Sequence, residues 1–387
     1  MRHSSGLRLL FFSPWRLSRQ LGGPKVLVEL GDELRDLGWT CDYVTGFDLR
    51  KDGRPGSPSN VARLLSDYLK VHAGDYDVVD YDHGYLPCPR DLFPMRVLFV
   101  ARSVLLAHHF LEIPIPRPRG LGSALRSLAQ RTLKPAQSTD PRRRDVRRAH
   151  RTLMEADIAN VASERDRECL GRHGIPAEKI VVLPYGLSAA RRRLFDEVDS
   201  TLPRPLRVAF VGTFDYRKGA LDFPTIVAET LRTAPEAVFR LLGTKGLFES
   251  ERQVLGHFAE ALRPRIEVIP CFLEDQLPKL LADCSVGVFP SYIEGFPFGL
   301  VEMMAAGLPV VAYDVPGPSE ILTPDYLVPR GRAAQLAAKI VTLLQDPNAL
   351  PQARRWAREQ SRRFAWGDIA RRTDAIYREH VAARRVF

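Results

Sequence analysis

Cysteine is scarce and follows no pairing pattern: Cys41, Cys88, Cys169, Cys271 and Cys284 are scattered over 387 residues, with no C-x-x-C anywhere. That excludes the usual zinc frameworks and a disulfide-stapled scaffold, and points to a reducing compartment. Long apolar runs are missing too. Nothing approaches the ~18 consecutive apolar residues that a membrane span needs. The stretch Leu9–Phe12 is too short for a signal-peptide core and is followed at once by Pro14 and Arg16. Short internal repeats are absent. With 45% apolar and 26% charged residues, the chain is neither disordered nor collagen-like. Its length predicts two domains or more. A cytoplasmic protein, in peripheral contact with the inner membrane face, is the expectation.

Acidic residues are lacking in one place above all. Residues 114–151 hold ten arginines and one lysine against Asp140 and Asp145, a net of +9, which leaves the rest of the chain at +1. A second excess, +6, lies in residues 350–387. Basic segments of this kind fit anionic partners. The first contains no Phe, Tyr or Trp, so it lacks the stacking platforms that single-stranded nucleic acid requires. Leu121, Leu125, Leu128 and Leu133 alternate there with Arg126, Arg131 and Lys134. That spacing predicts a short basic amphipathic helix suited to an anionic lipid surface, with a solvated loop as the plainer alternative.

The periodicity alternates strand and helix. Leu7–Ser13 reads as a buried strand, followed by a loop ending at Gly22-Gly23 and a helix opening at Pro24. Trp39–Thr45, Val78–Tyr81 and Val97–Ala101 read as further strands. This β-α-β order argues for a doubly wound parallel sheet. Leu187–Pro205, with three consecutive arginines and two prolines, reads as a linker. The alternation then restarts with strand Leu206–Val211, helix Ala220–Thr233 and strand Val238–Leu242, and later helix Glu274–Ala282, strand Val286–Pro290 and helix Gly299–Ala306.

The chemistry concentrates in PSYIEGFPFGLVEMMAAGLP, residues 290–309. Glu294 falls in a strand-to-helix loop and Glu302 in the opening of the next helix. Gly295, Pro297 and Gly299 let backbone N–H groups approach a ligand, and a helix start favours a diphosphate. A carboxylate just inside that helix can accept two ribose hydroxyls. Two glutamates alone would be a helix start and a solvated loop; the surrounding glycines and prolines favour the site. The second stretch is VGTFDYRKG, residues 211–219, where Arg217 and Lys218 stand at another strand-to-helix crossover and can clamp a departing diphosphate. Asp75-Tyr76-Asp77 and Asp80-Tyr81-Asp82 spell D-x-D, a metal–diphosphate pattern, but acidic residues also flank strands in turns. No obligatory metal is expected.

These residues resemble the family 4, or group 1, retaining glycosyltransferases of the GT-B fold. The resemblance is carried by Glu294 and Glu302 within EGFPFGLVEMMAAGLPVVAYDVPGPSEIL, by FVGTFDYRKG, by ADIANVASERD and HGIPAEKIVVLPYGL, and by the closing FAWGDIARRTDAIY. It covers the second half densely and the first half thinly. It implies two Rossmann-like doubly wound domains facing each other across a cleft. The first would span 1–190 on the acceptor side, with an Arg-rich insertion at about 114–148. A linker would follow at 191–205, a nucleotide-sugar-binding domain at 206–364, and a helix at 365–387 packing back on the first domain.

The resemblance further implies transfer of a sugar, with retention, from a nucleotide diphosphate donor to a hydroxyl of a glycan or lipid-linked acceptor, without a separate cofactor. Lys218, with Arg217, would hold the diphosphate and Glu294 would lie by the transferred sugar. Glu302 would take the ribose. Gly295, Phe296, Pro297, Phe298 and Gly299 would surround the donor, and Gly22 and Gly23 would admit its phosphates. The chain departs from the family at Thr213, usually Arg, and at Tyr185 in Pro184-Tyr185-Gly186, usually Asn. It also ends VLFVARS in Arg102-Ser103, where many relatives place a His. His83, His108 and His109 stand nearby. A non-catalytic binding protein of the same fold is the alternative.

Overall fold

Leu9, Leu10, Phe11 and Phe12 are all fully buried, as consecutive apolar residues are in a strand covered on both faces. The computed structural model describes residues 6–19, 22–50, 56–118, 140–198 and 206–385. The first sheet is built from β1 (Arg8–Ser13), β2 (Thr40–Thr45), β3 (Val78–Asp82), β4 (Leu98–Arg102), β5 (Ile158–Val161) and β6 (Ile180–Val182). Its order is β2-β1-β3-β4-β5-β6, every pair parallel.

The second sheet comprises β7 (Arg207–Val211), β8 (Val238–Leu242), β9 (Ile266–Ile269), β10 (Val286–Phe289), β11 (Val310–Tyr313) and β12 (Leu327–Val328). Its order, β12-β11-β10-β7-β8-β9, is also all parallel. Each sheet reverses its strand order once, between β1 and β3 and between β7 and β10. In open α/β sheets such reversals leave a crevice at the strand carboxyl ends, where ligands bind.

Several expected elements differ in extent. The stretch read as a linker contains a helix, Ala189–Asp196, whose N-cap Ser188 accepts from the Arg191 N–H. The arginines there that suggested a loop are good helix formers, and the helix buries Phe195 and the Arg191 side chain. The expected Glu274–Ala282 helix is a 3-10 turn, Glu274–Gln276, followed by a short helix, Leu277–Leu281, with Pro278 in its first turn. The Arg142–Arg144 run lies inside a helix, Pro141–Glu155, capped by Asp140. The expected basic helix over 121–134 falls outside the described residues. No helix among the described residues is long and apolar enough to cross a membrane.

The last helix, Trp366–Arg385, crosses back onto the first sheet and packs on the Gly22–Asp36 helix. Trp366 Nε1 donates to Glu29 at 2.6 Å, and Trp39 Nε1 donates to Asp374 at 2.6 Å. Tyr377 reaches Asp80 on β3 at 2.6 Å. The crossing is tight: a Cβ on Gly186 would meet the Phe364 carbonyl at 2.6 Å, which fixes glycine at that position.

Candidate active site

The two strands at the reversal point of the second sheet send out the two loops singled out in the sequence. After β7, Asp215 shapes the turn: one carboxylate oxygen accepts the Lys218 N–H at 2.9 Å and the other accepts the Thr213 hydroxyl at 2.8 Å. Gly219 then takes φ +85°, and any Cβ there would collide with Pro290 of the second loop. That close approach brings the loops into register, and the Tyr292 N–H donates to the Arg217 carbonyl at 2.7 Å.

Glu294 is the centre of the resulting cluster. Its Oε1 accepts from Lys218 Nζ at 2.8 Å and from Arg217 Nη1 at 3.1 Å, while Arg217 also donates to the Ile293 carbonyl at 2.8 Å. Burial works to raise the Glu294 pKa, but Lys218 and Arg217 outweigh it and hold the carboxyl below its usual range. One carboxylate between two cations leaves the cluster with a net positive charge, which suits an anionic ligand.

Glu302 lies on the Phe298–Ala305 helix, whose N-cap, Pro297, offers no side-chain cap. The Phe298 and Leu300 N–H groups donate to the Phe296 and Pro297 carbonyls, which leaves the Gly299 N–H as the first-turn donor an anion can use. Glu302 Oε1 accepts from Arg191 Nη2 at 3.1 Å and Nε at 3.3 Å, and Lys25 Nζ stands 3.8 Å away across the cleft. Lys25 also donates to Glu274 at 2.9 Å and lies 3.9 Å from Glu29. Desolvation opposes its charge, yet Glu302, Glu29 and Glu274 together raise its pKa.

Lys25, Arg191, Glu274 and Glu29 are absent from the sequence-based set. Lys25, two residues beyond Gly23, is the one with a local cue. Arg191 sat in the presumed linker and gave none.

The glycine pair, expected at the end of a loop, instead forms the first turn of the Gly22–Asp36 helix, which brings Lys25 to this cluster from the first domain. Gly23 lines a cavity of about 720 Å³ with Trp15, Asp82, His83, Val104 and Phe110, at the reversal between β1 and β3. Its Val104 wall touches the second domain directly, because a Cβ on Gly295 would collide with the Val104 carbonyl. Phe296 and Phe298 stand at the domain boundary, with Lys25 Nζ 5.5 Å from the centre of the Phe298 ring. Their rings pack edge to face at 4.9 Å and join Tyr185, at 5.8 and 6.4 Å, in an aromatic seam between the domains. Tyr185 is an anchor of that seam, its hydroxyl donating to the Ser103 carbonyl at 3.2 Å.

Arg102 is fully engaged elsewhere, in a buried pair with Asp80. His83 lines the cavity, its Nε2 accepting the Ala107 N–H at 3.4 Å and its Nδ1 lying 3.7 Å from Asp82. Burial lowers its pKa. His109 instead pairs with Asp166 at 2.7 Å, and His108 lines a different cavity. The D-x-D carboxylates diverge. Asp77 accepts from the Arg8 N–H and from Arg385, Asp80 from Arg102 and Tyr377, and Asp82 from the Gly84 N–H. His109, Glu112 and Cys169 offer ligand atoms within 4.8 Å of one another, but Glu112 already receives Arg172, His173 and the Cys169 thiol.

Glu29 provides a pH test of the interdomain contact. Burial pushes its carboxyl up to about 7, against the opposing pull of Lys25 and the Trp366 N–H. Between the ordinary value of 4.5 and about 7, the folded protein holds a proton that the unfolded chain has released. The stability contribution is full below this window and is lost as pH rises through it, with a slope of at most ~1.4 kcal/mol per pH unit. Glu29→Gln is expected to flatten the fall. Urea midpoints measured on either side of the window test this, and parallel declines in wild type and variant would count against it.

Residues 205–346 match the family model described as glycosyl transferases group 1. The D-inositol 3-phosphate glycosyltransferase of Acidothermus cellulolyticus is 29% identical over 262 residues, covering 61% of this chain and 57% of that protein. The alpha-D-kanosaminyltransferase of Streptomyces kanamyceticus is 27% identical over 225 residues, covering 54% and 56%. The chain thus spans little more than half the length of these relatives. Among solved structures, sucrose-phosphate synthase from Thermosynechococcus elongatus superposes with a TM-score of 0.70 at 21% identity, covering 97% of this chain and 100% of that one. Anabaena HepE in complex with UDP gives 0.67 at 16%, covering 96% and 100%. The fold is GT-B, with two Rossmann-like domains, and the family match supports a group 1 glycosyltransferase.

Proposed function

We propose that this protein is a retaining, metal-independent family 4 glycosyltransferase that moves a sugar from a nucleotide diphosphate donor to a hydroxyl of a glycan or lipid-linked acceptor. The reading rests on one observation above all: Lys218, Arg217 and Glu294 converge at the reversal point of the second sheet, beside an uncapped helix start that carries Glu302. A donor diphosphate seated there takes Lys218 and Arg217 from Glu294, which frees that carboxylate for the sugar hydroxyls. Glu302, steadied by Arg191, accepts the ribose hydroxyls. The bond from the anomeric carbon to the diphosphate oxygen breaks as the acceptor oxygen bonds to the same face. The acceptor proton passes to the departing diphosphate, whose growing charge the two cations balance. This charge balance comes from side chains, so the step calls on no metal. Work at the inner membrane face, in cell-surface glycan or glycolipid synthesis, fits the basic segments.

The test is calorimetric titration with a panel of nucleoside diphosphates and their sugars, wild type beside Glu302→Ala. Base-selective binding is expected, weakened about tenfold or more in the variant, as loss of a buried charged acceptor for two hydroxyls implies. The configuration of the product at the anomeric carbon then checks retention. A folded wild type that binds no member of the panel would favour the non-catalytic alternative.

A further inference from the structure

A second cavity, of about 1100 Å³, opens between the Pro58–His72 and Pro141–Glu155 helices, on the far side of Arg148 from the cavity at Gly23. Arg144, Arg147, Arg148 and Arg151 recur at i, i+3, i+4 and i+7 along one face of the second helix and all line the groove, Arg148 as the wall whose guanidinium is tied to groups of the cavity at Gly23. Arg63 and Lys70 face them from the first helix. Asp67 is the one carboxylate in the lining, and it is shared by Arg63 at 3.3 Å and Lys70 at 3.9 Å. Among the described residues Arg147 and Arg151 form no ion pair, whereas Arg148 is held by Asp145 and the Gly84 carbonyl. So many like charges repel one another unless an anion comes between them.

The floor of the groove points the same way. His108 is completely buried, and its Nδ1 has no hydrogen-bond partner. Its Nε2 lies 3.5 Å from His150, and its ring is 4.9 Å from that of His173. Desolvation, joined by the surrounding imidazoles, holds His108 down to about 3. In the tautomer that carries its proton on Nδ1, this buried N–H is a donor left for a ligand oxygen.

We propose that this groove seats a phosphate or diphosphate group carried by the acceptor, whose reacting hydroxyl lies in the adjoining cavity at Gly23. The inference rests on the proposed sugar transfer and names its acceptor class: an anionic, phosphorylated saccharide or lipid. Paired guanidinium groups fit phosphate oxygens in bidentate fashion. The lining holds no Phe, Tyr or Trp on which nucleobases could stack. Val146 and Arg148 line both cavities, so an acceptor bridging them keeps its charge in the groove and its hydroxyl end near Gly295.

The test titrates inorganic pyrophosphate into the full chain, into an Arg147→Ser, Arg151→Ser double variant, and into Lys218→Ala. Both arginines are exposed, and circular dichroism checks that the variants fold. Lys218→Ala gives up the donor-site contact but is expected to keep binding pyrophosphate in the groove. The double variant should keep only the donor-site binding, its groove being about tenfold or more weaker, since each lost charge-assisted contact carries at least that order. Binding should also fall with added salt.

Glucose 6-phosphate and phosphatidylcholine vesicles carrying polyprenyl diphosphate separate a soluble from a lipid source, and either one depending on Arg147 and Arg151 supports the proposal. Pyrophosphate binding that needs Lys218 but not the arginines would overturn it and leave the donor site standing; no binding at all by folded wild type would overturn it too. Nucleoside diphosphate titrations of the double variant keep the two readings apart. If no nucleotide binds while pyrophosphate still requires the arginines, the transfer reading fails and the groove remains a phosphate site.

Discussion

Lys218→Ala is expected to lower turnover by about 10²–10³-fold, the order seen when one preorganised donor to a developing anion is removed. Lys218 Nζ meets Glu294 and lies 5.2 Å above the Phe289 ring, so it is held between a carboxylate and an aromatic face rather than free in solvent. Its backbone is fixed independently by Asp215, so the truncation leaves the loop in place. Glu294 keeps Arg217, and the fold therefore suffers little.

Arg217→Ala should be milder in turnover but should disturb the loop more, because that side chain also ties down the Ile293 carbonyl. Slow hydrolysis of the donor by water gives a readout that needs no acceptor, with nucleoside diphosphate affinity measured in parallel. A Lys218→Ala enzyme that hydrolyses donor at the wild-type rate would remove Lys218 from the leaving-group side.

The contrast between these two loops and the rest of the cleft explains what the sequence could reveal. Glu294, Glu302 and Lys218 stand in stretches whose glycines and prolines are spaced by the backbone they must form, so pattern and position are written locally. Parallel strands read clearly for the same reason, since burial on both faces demands unbroken runs such as Leu9–Phe12. Arg191 meets Glu302 across 111 residues and Lys25 meets Glu274 across 249, and no local pattern encodes such a meeting. The Ala189–Asp196 helix was hidden because three arginines resemble a solvated loop until Ser188 is seen to cap them and Phe195 to be buried. Phe296 and Phe298 stood in the expected donor loop, but their rings serve the seam with Tyr185. Which way a ring turns depends on the partner domain, not on its neighbours in the chain.

Asp80→Ala is expected to destabilise the protein by about 3–5 kcal/mol, the usual result of stripping one partner from a buried ion pair. Asp80 is fully buried, and Arg102, almost fully buried, donates to it through Nε at 3.0 and 3.1 Å and through Nη2 at 2.5 Å. Burial works against the Arg102 cation, and Asp80 with Tyr377 and Tyr185 outweighs it to raise its pKa. Without Asp80, the guanidinium keeps Asn160 at 3.2 Å and the Tyr377 hydroxyl at 2.9 Å, both neutral.

Tyr377 sits on the last helix, so the loss spreads there. Amide exchange along Trp366–Arg385 should rise together with the fall in the urea midpoint. Tyr377→Phe should cost less, about 1.5–3 kcal/mol, because it removes the hydroxyl's bonds to Asp80 and from Arg102 with the ion pair intact. The decisive comparison is Asp80→Leu with Arg102→Leu, which removes both charges from the same space and should be markedly more stable than Asp80→Ala. If the double variant is as unstable as the single one, packing rather than the stranded charge governs the site, and the last helix is held on by its apolar face.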